Sequence, residues 1–260
     1  MAKRGQGAFE YILMLGGLIM VVTIILVALQ GASTSSTSQV RGMAGMFCAP
    51  TDMGRGSAGL VASWHFDEGG GTVAVDSSGN GNTGTMAGNP AIATGKMGTA
   101  RSFSADADAM GVPSVPLGAS WTIEGWFSYP IQPSHSGWWR TFARGLNGDL
   151  LAVSGTGSDV LAAFQAPSTP HYTSYAVTGL SNGWHHMAAV GAGTTTTFYM
   201  DGNQVATADY RSTSPIVYVG NYGGLAQQFG TIDEVKIYDR ALSQAEIQAD
   251  MNCFSGLGGS

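Results

Sequence analysis

The sequence predicts an α+β chain: a long apolar α-helix at the N-terminus, an antiparallel β-sandwich, and a short helix at the C-terminus. Three observations carry this. Tyr11 to Leu29 is a run of 19 residues without a charge. From Leu60 onward apolar side chains recur at every second position, in short runs parted by turns rich in Gly and Asn. Ser243-Gln244-Ala245-Glu246, close to the C-terminus, has the spacing of a helix-capping box.

The composition agrees with a β-rich chain outside the cytoplasm. Of 260 residues, 44% are hydrophobic and only 11% charged, less than half the usual ~25%. Ser, Thr, Gly, Asn and Gln must therefore cover the surface. With 11 Lys+Arg against 17 Asp+Glu and a net charge of -6, no basic face for nucleic acid can be built. Aromatics at 10% exclude a disordered chain, and the 39 Gly lack the three-residue period of collagen.

A helix over the 19 residues of 11–29 spans about 28 Å, close to a bilayer core. Lys3 and Arg4 precede it, which places the N-terminus in the cytoplasm. An ordinary signal peptide fits poorly, because the run is long and Leu29-Gln30-Gly31-Ala32 is a poor cleavage site. Glu10 sits at the edge of the apolar helix, where a carboxylate is costly without a partner. A cut between Gly5 and Gln6 would create a new amino terminus at Gln6, and Glu10 of one subunit could then neutralise that amine on a neighbour.

Lys3-Arg4-Gly5-Gln6-Gly7-Ala8-Phe9-Glu10-Tyr11, followed by a retained apolar stretch, resembles the class III signal peptide of archaeal type IV pilins. The resemblance implies cleavage after Gly5 by a prepilin peptidase and handling by the type IV pilus assembly machinery. It further implies retention of 6–30 as a helix that is membrane-inserted before assembly and then packs in the core of a homopolymeric filament, with Gln6, Glu10 and Tyr11 serving assembly. Loss of Lys3 and Arg4 takes the net charge from -6 to -8. The alternative from the residues alone is a plain membrane anchor.

Residues 31–57 are rich in Ser, Thr and Gly. Alone they form a linker, although packing in a filament could extend the helix to about residue 47. The Ser/Thr cluster at 33–38 is a candidate for O-glycans, and no Asn-x-Ser/Thr sequon occurs. The two cysteines, Cys48 and Cys253, flank the folded region. Their even count and extracytoplasmic setting favour a disulfide over two buried thiols.

In Leu60-Val61-Ala62-Ser63-Trp64-His65-Phe66, the residues Leu60, Ala62, Trp64 and Phe66 share a face. Trp121, Ile123 and Phe127 alternate with Thr122, Glu124 and Trp126. Further strands are expected at 151–154, 160–165, 184–190, 195–200, 216–219 and 231–238, with Asn147-Gly148, Asn182-Gly183 and Asp201-Gly202 as turn signals. Many short strands with such turns predict an antiparallel sandwich. The terminal helix starts at Ser243, is flanked by a Leu242/Ile247 staple, and ends near Met251.

The blocks Gly59–Gly69, Asp76–Asn82, Trp121–Trp126, Gly183–Ala188, Tyr199–Gly202 and Gly230–Ser243 together resemble a laminin G-like domain of the concanavalin A-like jelly-roll superfamily, over about 58–252, leaving 253–260 as a tail. The resemblance implies two curved antiparallel sheets and a role in binding glycans or proteins, or as a spacer.

Four pieces of candidate chemistry remain. Gly79-Asn80-Gly81-Asn82-Thr83-Gly84 matches G-x-G-x-x-G but no helix can follow it, so it is no dinucleotide site. The same loop, with Asp76, Ser78 and Asn80 at alternate positions before Gly81, places oxygens as a calcium loop does. Asp76, Asn80, Asn82 and Asp233 are the candidate ligands of a structural calcium, on the expectation that Asp233 shares a face with Val235 and Ile237 and points inward. A purely hydrogen-bonded loop is the alternative. Trp138, Trp139 and Tyr172 lie in stretches expected to be loops and are candidates for stacking on a ligand; the alternative is that in each of the pairs Trp138/Trp139 and Tyr172/Tyr175 one ring fills the core and the other covers the sheet. Enzyme signatures are scarce: no Glu is followed two positions later by Asp, and H-E-x-x-H does not occur. His185-His186 reads as a sheet pair, not as a base.

The expectation is therefore a non-enzymatic surface subunit: an archaeal type IV pilin whose helix polymerises and whose jelly roll is displayed for adhesion to a glycan or protein. The alternative is an anchored lectin-like protein that does not polymerise.

Overall fold

The computed structural model describes residues 58–131, 139–154, 159–221 and 227–255. The chain divides into two compact units, Met1–Phe47 and Cys48–Ser260, and every described residue belongs to the second. Cleavage after Gly5, the assembly residues Gln6, Glu10 and Tyr11, the apolar helix, the linker, Cys48 and Trp138 lie outside the described residues, as does the side chain of Cys253. Among the described residues no helix is long and apolar enough to cross a membrane.

Sixteen strands are described. The first eight are β1 (Leu60–Trp64), β2 (Val73–Ala74), β3 (Gly84–Ala87), β4 (Ala91–Thr94), β5 (Thr99–Phe103), β6 (Ala109–Val115), β7 (Trp121–Tyr129) and β8 (Trp139–Gly145). The rest are β9 (Leu150–Ser154), β10 (Val160–Gln165), β11 (Thr169–Ala176), β12 (Gly183–Ala192), β13 (Thr195–Met200), β14 (Asn203–Ala208), β15 (Ile216–Val219) and β16 (Gly230–Tyr238). One helix, α1 (Gln244–Ser255), follows.

The strands form two eight-stranded sheets. The first runs β14-β13-β12-β7-β16-β5-β4, with β1 also on β16; the second runs β11-β10-β9-β8-β15-β6-β3-β2. Neighbours pair antiparallel throughout, as in β12 on β7 and β9 on β10. This is the expected sandwich. Short strands such as β2 to β4 carry too few alternating apolar residues to be read from sequence, and β12 runs two residues beyond its expected end.

The core lies between the sheets and follows the alternation. Trp64, Trp121, Ile123 and Phe127 of the first sheet are at most 2% exposed, as are Phe142 and Leu161 of the second. Phe229 joins the layers, meeting Phe127 and Phe142 edge-on at 5.7 and 5.1 Å between ring centroids. Gly191 is required here, because a Cβ would lie 2.2 Å from the Trp121 indole.

The opposite face of the first sheet is covered by α1. The capping box forms as read: Ser243 N donates to Glu246 Oε2 at 2.7 Å, and Glu246 N to Ser243 Oγ at 3.3 Å. The bonds that the Glu246 carboxylate accepts from Ser243 N and Oγ, with Arg240, hold it below its ordinary value. Leu242 and Ile247 bury against Ala188, Val190, Tyr199 and Tyr238. The helix runs to Ser255 rather than ending near Met251, since no Gly or Pro interrupts it before Gly256. Gly202, with φ 74° in the β13–β14 turn, also admits α1: a Cβ there would meet Gln248 Cγ at 2.8 Å.

Candidate functional site

The loop 76–82 resolves first. Asp76 accepts from Ser63 N at 3.0 Å and Ser78 N at 2.9 Å through Oδ1, and from Ser78 Oγ and Asn82 N, both at 2.8 Å, through Oδ2. Partial burial opposes its charged form, but the bonds from Ser78, Ser63 and Asn82 together outweigh it and hold the carboxyl below its ordinary value. Asn80 Nδ2 donates to Leu60 O at 2.9 Å, and Asn82 Nδ2 to Val61 O at 2.8 Å. Trp64 Nε1 closes the loop on Asn82 O at 2.9 Å. The loop thus runs along the edge of β1 that β16 leaves open and occupies its backbone groups.

Asp233 is elsewhere. The β16 register slips between Asp233 and Lys236, and Glu234 takes a φ of 52°. This bulge breaks the alternation, so Asp233 is paired with Trp126 on the outer face while Val235 and Ile237 enter the core. The expectation that Asp233 shares their face is corrected. Its carboxyl accepts from Met97 N at 3.1 Å and Glu234 N at 2.9 Å. Burial, with the charge of Glu234, pushes its pKa up to about 8 against those bonds. Asp76 and Asp233 therefore serve separate hydrogen-bond sets. Among the described residues no group of three or more His, Cys, Asp or Glu could hold a metal.

One arrangement imitates a catalytic triad. His185 Nδ1 is 2.8 Å from Asp201 Oδ2, and Ser181 Oγ is 3.4 Å from His185 Nε2. However, Nε2 is nearer, at 2.9 Å, to the Ser181 carbonyl oxygen, an acceptor only. The ring thus sits between Asp201 and the Ser181 carbonyl, with the hydroxyl at the longest of the three distances. Asp201 Oδ1 also accepts from His186 N at 2.9 Å. The group ties the β13–β14 turn to β12.

The aromatic candidates do meet. Trp139 and Tyr172 lie at strand positions on β8 and β11, not in loops as expected. On β10, Leu161 and Ala163 enter the core, so Ala162 and Phe164 face outward. Trp139 stacks on Tyr172 at 5.6 Å between centroids with planes 13° apart, and meets Phe164 edge-on at 5.4 Å. Tyr172 is 49% exposed. Tyr175, by contrast, packs on the core, so of this pair one ring is core and one is on the surface. Ala152 and Ala162, register partners on the same face, are buried. With small residues between them, the three rings give the second sheet an aromatic cluster open to solvent at Tyr172, of the kind that stacks on an apolar sugar face. Phe164 escaped the sequence reading, although an aromatic at an outward position of a strand was the signal.

Comparison with known proteins gives the same architecture. The signature described as Concanavalin A-like lectin/glucanases superfamily matches residues 103–248, and that of the class III signal peptide matches residues 3–27. No curated protein matches the chain. Among solved structures, domain 4 of AbnA, a GH43 extracellular arabinanase from Geobacillus stearothermophilus solved in complex with arabinotriose, is 20% identical with a TM-score of 0.57, covering 75% of this chain and 98% of that one. The binding domain of Paraclostridial Mosquitocidal Protein 1 is 19% identical with a TM-score of 0.58, over 77% of this chain and 53% of that one. A Trypanosoma rangeli sialidase is 15% identical with a TM-score of 0.53, over 74% of this chain and 32% of that one. The chain thus spans about half of the toxin domain and a third of the sialidase. At such identities the likeness is one of fold.

Proposed function

The chain belongs to the Concanavalin A-like lectin/glucanases superfamily, and from that membership and its class III signal peptide we propose that it is a structural subunit of an archaeal type IV pilus with a carbohydrate-binding head. The signal peptide is the observation that carries the reading. It implies cleavage after Gly5 by a prepilin peptidase and retention of the apolar segment 11–29. In the filament these helices pack as the core, with Glu10 against the amine of Gln6 on a neighbour. The protein would reach the cell surface through the membrane and the pilus assembly machinery.

The head would act by recognition, without catalysis. A sugar-complexed arabinanase domain among the fold's relatives supports a glycan as the ligand class, and the patch of Trp139, Phe164 and Tyr172 supplies rings to stack on it.

Electron microscopy of sheared surface filaments, with mass spectrometry of their main band, tests the reading. Filaments containing this chain are expected. A protein found only in the membrane fraction of filament-free cells would favour a lectin-like anchor that does not polymerise.

A further inference from the structure

Beneath α1 an amine and two carboxyls converge in the interior. Glu124 comes from β7, Lys236 and Tyr238 from β16, and Asp250 from α1. Glu124 is 1% exposed and Lys236 6%. Lys236 Nζ lies 3.4 Å from Asp250 Oδ1, and the Tyr238 hydroxyl donates to Asp250 Oδ2 at 2.5 Å. The Glu124 carboxyl lies close enough to Asp250 for that residue's charge to act on it. Its Oε2 has no hydrogen-bond partner and stands 4.0 Å from His186 Nε2. His186 Nδ1 has none either.

Burial holds the Glu124 carboxyl well above its ordinary value, reinforced by the neighbouring charge of Asp250. Asp250 is kept low against its own burial, chiefly by Lys236. Burial pushes His186 down to about 4, so that ring is neutral. The cluster therefore carries one acid proton on Glu124 beside an ammonium–carboxylate pair. A buried ion pair is a weak source of stability, and apolar side chains of like volume would serve α1 as well. The adjoining surface under the helix is already apolar, with Val190, Tyr199, Leu242 and Ile247.

We propose that Lys236 and Asp250 are joined by an intramolecular isopeptide bond, and that Glu124 is the acid that forms it. A proton passes from the Lys236 ammonium to the Asp250 carboxylate, giving an amine and a carboxylic acid. Both neutral forms are favoured where water is excluded. The Nζ lone pair attacks Cγ, and fixed proximity takes the place of an activated acyl group. Tyr238 holds Oδ2 as negative charge develops there. Glu124 gives its proton to the departing hydroxyl and takes one from the nitrogen, so it ends as it began. One C–N bond forms, one C–O bond breaks, and one water leaves; no oxidant or reductant is needed. The product ties α1 covalently to the central β16.

Mass spectrometry of the full chain, purified in detergent and reduced, reads this directly. The bond makes the chain one water lighter than its residues require. Trypsin cannot then cut after Lys236, so peptides 212–240 and 241–260 appear joined, less one water. Lys236→Arg and Glu124→Gln should each restore the full mass and separate peptides. Asp250→Asn should still cross-link, losing ammonia instead of water, and so give the wild-type cross-linked mass, which no salt bridge would do. Cleavage after Lys236 with full mass in the folded wild-type protein would overturn the proposal. Undiminished cross-linking in Glu124→Gln would overturn the role of the glutamate.

Discussion

The two outer faces of the sandwich differ in what the fold does with them. That of the first sheet is closed: α1 lies on it, the 95–98 loop is tied to Asp233, and Lys96 Nζ stands 4.4 Å above the Trp126 ring. Even Glu124, His186 and Lys236 are buried there. That of the second sheet presents Tyr172 to solvent, stacked on Trp139. Both grow from strands of the same alternating pattern, so alternation alone does not tell a face for a helix from a face for a ligand. What divides them is the chain that follows: a capped amphipathic helix returns to one face and, among the described residues, none to the other.

The contrast predicts that substitutions on the closed face cost stability and those on the open face cost binding. Ile247→Ala, which removes a fully buried side chain of α1, should lower unfolding stability by about 2–5 kcal/mol in denaturant titration. An effect below about 0.5 kcal/mol would mean that the helix is not seated on the sheet. Asp76→Ala strips the loop beside β1 of a side chain that accepts four hydrogen bonds, and should cost about 1–3 kcal/mol. Chelation of calcium should leave the wild-type melting temperature unchanged; a fall would restore a metal to that loop.

A third test uses pH. The folded pKa of Asp233 is raised to about 8, against an unfolded value of about 3.9. The stabilisation tied to its proton is complete below the unfolded value and is lost as pH rises through about 8. Stability should therefore decline from this group between roughly pH 4 and pH 8, and Asp233→Asn should flatten the decline. An unaltered slope in the variant would assign it to other groups. Tyr172→Ala is expected to have the smallest effect on stability, within about 0.5 kcal/mol. On a glycan array the same change should weaken the head's best ligand about tenfold. A large stability loss with intact binding would reverse the assignment of the two faces.

The sandwich, its main strands and the capped helix were legible in the sequence because each rests on local signals: period-two alternation, Asn-Gly and Asp-Gly turns, and the Ser243/Glu246 box. The aromatic patch was half legible. Trp139 and Tyr172 could be singled out as rings in polar surroundings, but their stacking depends on strands far apart in the chain. Asp233 was misplaced because a single bulge at Glu234 reverses the face of every residue on one side of it. The Glu124–Lys236–Asp250 cluster was invisible, since it joins two strands and a helix through charges that sequence reasoning assigns to solvent.

The central claim is that the chain is processed as a pilin and keeps its apolar segment. Sequencing the N-terminus of the protein recovered from the cell surface tests this most directly. A start at Gln6, with 11–29 retained, is the predicted result. A start at Met1, or at any residue after 28, would contradict it.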